Sequence, residues 1–204
     1  MGRWLAIAVV AILVVAGASQ LAIPPLVAHH LEGKLTDGGG SADVSVSAFP
    51  AARLLFGDGE RITVDGSGLD LPLAQPGQEV LDKLDGFDEV DVQIRDSRAG
   101  PFALTDFELT RSGSSAAYEL VSSGRTTAGA VASYGAERLG VPGAPLLGFF
   151  TGQAVGSRPI PIDLHMGLRS DGGRVIVVSG GGRVAGLPTG PLAELITSAV
   201  SVRL

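Results

Sequence analysis

The chain has 204 residues, 45% of them apolar and 18% charged, with a net charge of −6 and no cysteine. Without Cys there are no disulfides, zinc–thiolate centres, iron–sulfur clusters or cysteine nucleophiles, and scattered basic residues under a net negative charge exclude a phosphate-neutralising nucleic-acid surface. The apolar content is too high for general disorder, while 30 glycines and few charges argue for strands and turns over a helical bundle.

Residues 4–18, WLAIAVVAILVVAGA, carry no charge and follow Arg3. A positive start ahead of an apolar run is a targeting signal, with the positive end on the cytoplasmic side. The sequence offers two endings. Ala16-Gly17-Ala18 is a small-x-small cleavage site. Alternatively the apolar run continues to Ala28, and residues 5–28 reach the length of about 20 residues that a bilayer requires. No Cys follows, so a lipoprotein anchor is excluded. The expected organisation is a signal peptide or membrane anchor over residues 1–28 and one extracytoplasmic domain over residues 29–204. The protein is then held at the cell membrane by a single N-terminal span, or exported to a periplasm-like space if cleaved after Ala18.

Pro24 and Pro25 suit the first turn of a short helix running to Leu35, and residues 36–41 read as a turn. Residues 42–49 alternate as a strand with Val44, Val46 and Ala48 on one face. Residues 50–57 predict a helical turn, and 61–73 a strand with a bulge at Gly66 and Gly68. A short helix is expected within 76–86, with Val80, Leu81 and Leu84 apolar. Residues 87–95 set Val90, Val92 and Ile94 against Glu89, Asp91, Gln93 and Arg95. Residues 102–110 place Phe107 and Leu109 together, and a hairpin through 112–115 leads into 116–121. Residues 126–139 predict a helix capped by Thr126 or Thr127 and ended by Gly140.

The clearest strand is 160–169, with Ile160, Ile162, Leu164, Met166 and Leu168 on one face. A turn at 170–173 joins it to 174–179 as a hairpin. Leu192, Leu195, Ile196 and Ala199 follow helical spacing behind Thr189 and Pro191. Strands in neighbouring pairs indicate an α+β fold, a curved and mainly antiparallel sheet of about eight strands wrapped on short helices.

Chemistry is sparse. His29 and His30 are adjacent and so point to different helix faces, a poor metal pair; they read as solvated residues beside the apolar segment. His165 lies on a polar strand face, and a hydrolase would have to use it with a nearby Ser or Asp, yet no G-x-S-x-G elbow exists. Glu79, Asp82, Asp85, Asp88, Glu89 and Asp91 fail the spacing of a calcium loop and read as a solvated acidic face. Gly180-Gly181-Gly182 lacks the lysine of a phosphate loop and reads as a turn. No cofactor, metal or catalytic residue is expected. Leu146, Leu147, Phe149 and Phe150 form an apolar cluster in the uncharged segment 141–157. They fit a core element, or a mobile lip that touches a membrane or closes over an acyl chain.

The apolar start, the segment ADVSVSAFPAARLLFGDGERITVDGSGLDLPL, the pattern FDEVDVQIRD and the late GGRVIVVSGGG together resemble the LmeA-like phospholipid-binding family of bacterial cell-envelope proteins. The likeness rests on Phe49, Pro50, Gly57, Val90 and Val92 and spans most of the chain after residue 20. It implies an extracytoplasmic lipid-binding domain, tubular in architecture, with an apolar interior and no catalytic residue to carry over.

The expected function is therefore non-catalytic binding or transfer of phospholipid in the envelope. Val90, Val92, Ile94, Phe107, Leu146, Leu147, Phe149, Phe150, Ile162, Leu164 and Met166 would line the apolar cavity. The expected partners are a phospholipid or other acyl-chain lipid and the membrane, with no nucleic acid. The competing reading is a membrane-anchored structural or interaction module without bound lipid.

Overall fold

A computed structural model describes residues 2–72, 81–130, 158–184 and 187–188, with side chains described at 17–72, 81–130 and 158–180. The chain opens with helix α1 (Gly2–Thr36). Strand β1 (Ser41–Ser47) and a 3-10 helix (Ala51–Phe56) follow, then β2 (Gly59–Ser67), β3 (Asp70–Leu71) and the one-turn helix α2 (Asp82–Asp85). The remaining strands are β4 (Phe87–Ala99), β5 (Phe102–Ser112), β6 (Tyr118–Thr126), β7 (Ile160–Asp171), β8 (Arg174–Val184) and β9 (Leu187–Pro188).

These strands form one mixed sheet ordered β1-β2-β4-β5-β6-β7-β8-β9, with the short β3 beside β4. With one long N-terminal helix and short helices between strands, the fold is α+β. The expected strands and both hairpins are present. β5 and β6 pair across residues 113–117, and β7 and β8 across Gly172-Gly173. The alternation read from sequence is also the observed burial pattern of β1, β4, β5 and β7.

The structure corrects the sequence reading in four places. First, β2 and β3 run parallel to β4, so neighbouring strands here are not a hairpin. A parallel pair needs a long return, and the chain between β2 and β4 carries β3 and α2. Second, the interruption between β2 and β3 falls at Gly68 (φ 65°), and Leu69 inside it donates its N–H to Ser97 Oγ at 3.0 Å.

Third, α1 does not begin at the prolines but runs through both. Each ring forfeits one i→i−4 bond. The loss is local, and Ile23, Val27, Ala28, Leu31 and Leu35 hold the following turns against the core. Fourth, Gly180-Gly181-Gly182 is not a turn: β8 continues through it, opposite Met166, His165 and Leu164. A Cβ at Gly180 would lie 2.3 Å from the His165 carbonyl oxygen, at φ 80°. Glycine lets the strand keep pairing at this close approach.

The expected helix over 126–139 is described only at its start, where Thr127 Oγ1 accepts the Ala130 N–H at 3.1 Å and so caps it. The rest of it, the segment 141–157, the helix expected after Thr189 and the first residues of the 76–86 helix lie outside the described residues.

α1 packs antiparallel to β1. Glu32 Oε1 accepts the Val44 N–H at 3.1 Å, and Pro24, Pro25 and Ala28 share a groove with Val44, Ser45 and Val46. β1 rises roughly 20 Å over its length at about 3.3 Å per residue. A helix covers that in about 13 residues, which brings Ile23 level with Ser47. Residues 2–22 of α1 therefore run beyond the end of β1, at the end that carries the 3-10 helix. This end also holds α2, the β5–β6 hairpin and the β7–β8 turn.

Candidate functional site

The strand register lays an apolar row across six strands. Val44 faces Val64, then Val92, Leu109, Leu120 and Met166. Beside it run Val46, Ile62 and Val90 on one flank and Ile94 next to Phe107 on the other. Seven of the expected lining residues lie on this face: Val90, Val92, Ile94, Phe107, Ile162, Leu164 and Met166, none more than 2% exposed. The other four, Leu146, Leu147, Phe149 and Phe150, lie outside the described residues.

Polar side chains on the inner face turn back onto the protein. Ser122 donates to the Asp106 carbonyl at 3.2 Å and Thr126 to the Pro101 carbonyl at 2.9 Å. The rest of the inner face is apolar and belongs to one buried core cluster.

One end of this field is closed by ionic and hydrogen-bonded contacts that the sequence reading did not anticipate. Arg111 follows Phe107 and Leu109 in the alternation of β5 and so points inward, with a side chain 4% exposed. Its guanidinium reaches under α2. It donates to the Leu84 carbonyl at 3.1 Å, the Asp85 carbonyl at 3.3 Å and the Phe87 carbonyl, and pairs with Asp85 Oδ1 at 3.3 Å. The Leu84 and Asp85 carbonyls belong to a one-turn helix whose last C=O groups have no intrahelical partner, so a cation there satisfies them and the local dipole together.

The guanidinium also stacks 4.5 Å from the centre of the Tyr118 ring. Tyr118 donates to Asp85 Oδ1 at 2.9 Å, and Ser170 donates to the other carboxylate oxygen. Ser170 in turn accepts the Gly173 N–H at 3.1 Å, and the Gly173 carbonyl accepts the Leu81 N–H at 2.9 Å. α2, β5, β6 and the β7–β8 turn thus converge on one carboxylate. Burial pushes the Tyr118 hydroxyl far above its ordinary range and Asp85 adds to the rise, while the Arg111 charge opposes it.

Asp85 therefore leaves the solvated acidic face to which the sequence reading assigned it. Asp82 and Asp88 remain exposed, and Glu89 accepts from Arg61 Nε at 2.6 Å on the outer face. Among the described residues no cluster of three or more His, Asp or Glu is arranged to hold a metal. The signal for the clasp was parity: an arginine at an inward position of an otherwise apolar strand face must find buried acceptors.

The outer face is polar. His165 is largely exposed and meets Glu119 at 3.1 Å. A groove of about 420 Å³ lies by the β4–β5 turn, with Arg98 and Arg125 flanking Ala103. His29 lies 3.6 Å from Glu32 on α1. Among the residues whose side chains are described, no helix is long and apolar enough to cross a membrane; residues 1–16, on which that expectation rests, lie outside them. Compared with known proteins, the chain matches no family model, no curated protein and no solved structure.

Proposed function

We propose that this chain is a non-catalytic lipid-binding protein of the bacterial cell envelope, related to the LmeA-like phospholipid-binding family. It is held at the membrane by its N-terminal helix, with the sheet on the extracytoplasmic side, or is exported if cleaved after Ala18. The observation that carries this reading is the apolar row from Val44 to Met166. Six strands spaced about 4.8 Å apart make it roughly 24 Å long, more than one leaflet of a hydrocarbon core about 30 Å thick. A face of that length, with its polar groups turned back onto the backbone, suits an acyl chain in a tubular domain. The clasp around Asp85 closes one end of the face without offering the ligand a charge. No side chain is assigned a catalytic role.

The test is photocrosslinking of the full chain with a phospholipid carrying a photoreactive acyl chain. Adducts on the peptides of β4 and β7 support the reading. Adducts confined to α1, or none, would leave the alternative, an anchored interaction module. That alternative is favoured by one observation: Ile176, Val177 and Val178 on β8 are each at least 40% exposed, in a stretch whose outer edge pairs with no strand among the described residues.

A further inference from the structure

The 3-10 helix displays an apolar tip at the end of the sheet from which α1 projects. A 3-10 helix turns once every three residues. Ala51 and Leu54, three apart, are therefore both buried, which leaves Leu55 and Phe56 facing out at 67% and 83% exposure. Phe49, 73% exposed, stands just before them. The turn is firmly held. Gly57 closes it in the left-handed conformation, and the Gly57 and Asp58 N–H groups bond back to the Leu54 and Arg53 carbonyls. Its neighbour on one side is α2, through Gly86, and on the other α1. Leu21 and Leu26 on α1 are also exposed, at 82% and 69%. Three large apolar side chains of the 3-10 helix and its lead-in thus stand exposed beside α1 near the end of β1.

We propose that this end is a membrane-contact face, with Phe49, Leu55 and Phe56 entering the headgroup and upper acyl region of the leaflet in which α1 sits. The proposal rests on the reading of α1 as a membrane helix, and not on lipid inside the sheet. The occupant follows from the geometry. Residues 2–22 extend roughly 31 Å past the sheet at 1.5 Å per residue, the thickness of a hydrocarbon core. Residues 5–16 contain no polar side chain. A helix standing in the bilayer brings the tip beside it to the surface, within the roughly 5–10 Å depth that interfacial apolar groups occupy.

Charge adds a second constraint. Among the described residues, the exposed cations at this end are Arg61, Lys83, Arg169 and Arg174, against exposed Asp58, Glu60, Asp82, Asp88, Glu119 and Asp171. Contact is therefore driven by apolar insertion and not by attraction to anionic headgroups.

The experiment uses the full chain in phosphatidylcholine vesicles. Trp4 is the single tryptophan, so W4F combined with F56W gives one reporter at the tip, and W4F combined with Ala103→Trp gives one at the far end. Expected is a blue-shifted emission from the F56W chain, strongly quenched by lipids brominated high on the acyl chain, with the Ala103→Trp chain unquenched. The quenching should persist in high salt and without anionic lipid. Unquenched, water-like emission from the F56W chain in vesicles that retain the protein would overturn the proposal, as would shielding that appears only with a protein partner. If lipid still crosslinks to β4 and β7 in that case, the lipid-binding reading stands and the contact face alone falls. A chain that does not stay with the vesicles removes both the anchor and the contact face.

Discussion

Arg111 and Asp85 meet at 3.3 Å beneath α2, tying the inner face of β5 to the segment that leads into β4. The two partners are not equivalent. Asp85 is 29% exposed and keeps Tyr118 and Ser170 when the arginine is gone, whereas Arg111 at 4% exposure keeps only carbonyl acceptors when the carboxylate is gone. Asp85→Ala is expected to destabilise the fold by about 3 kcal/mol, as for a buried charge left without its partner. Arg111→Met should cost less, about 1–2 kcal/mol, because it removes the charge along with the hydrogen bonds. Urea unfolding of both variants measures this, and the reverse order would show that the clasp acts through its carbonyl contacts alone.

Tyr118 makes stability fall at alkaline pH. Its hydroxyl is raised in the folded state by burial and by Asp85. The folded chain therefore holds this proton where the unfolded chain, with an ordinary value near 10, releases it. The contribution is complete below about pH 10 and declines above it, by at most about 1.4 kcal/mol per pH unit. Unfolding midpoints between pH 9 and 11 should show this slope, and Tyr118→Phe should remove it while lowering stability at neutral pH through the lost bond to Asp85.

Gly86 bridges the two elements at the apolar end. Its carbonyl accepts the Gly59 N–H at 3.0 Å, and a Cβ on it would lie 2.0 Å from the Gly57 carbonyl oxygen. Gly86→Ala must push α2 away from the 3-10 helix and is expected to cost between about 1 and 3 kcal/mol, the usual range for overpacking. Thermal unfolding reads this directly. A neutral substitution would mean that the two segments are free to separate.

His165 carries no weight in this account. Among the described residues it pairs with Glu119, both side chains more than 60% exposed. His165→Ala should change stability by no more than about 0.5 kcal/mol and leave lipid binding intact. Loss of an esterase or amidase activity in the variant would instead revive a hydrolase reading.

Leu109 and Leu120 are paired in the middle of the apolar row, both fully buried. Leu109→Ala is expected to cost about 2–5 kcal/mol, the range for emptying a packed site. Added phospholipid should recover part of that loss if the face holds acyl chains, because a ligand that binds only the folded state stabilises it. Denaturation with and without lipid distinguishes the two sources of stability.

Much of this architecture was legible because strand alternation is local. Val90, Val92 and Ile94, or Ile162, Leu164 and Met166, declare a shared face within five residues. What escaped were the relations set by distant segments. The parallel pairing of β2 with β4 depends on a crossover whose own residues carry little periodicity. The helix through Pro24 and Pro25 depends on packing against β1, and the continuation of β8 through three glycines depends on the closeness of β7. The clasp was hidden because Asp85, Arg111 and Ser170 are far apart in the chain, and a run of acidic residues looks alike whether one member is solvated or pulled inward.

The most direct measurement of the central claim is native mass spectrometry of the full chain released from bacterial membrane in mild detergent, followed by lipid extraction. Expected is a phospholipid bound at one per chain, exchangeable with lipid from added vesicles. A bare protein mass that stays unchanged after incubation with vesicles would contradict it.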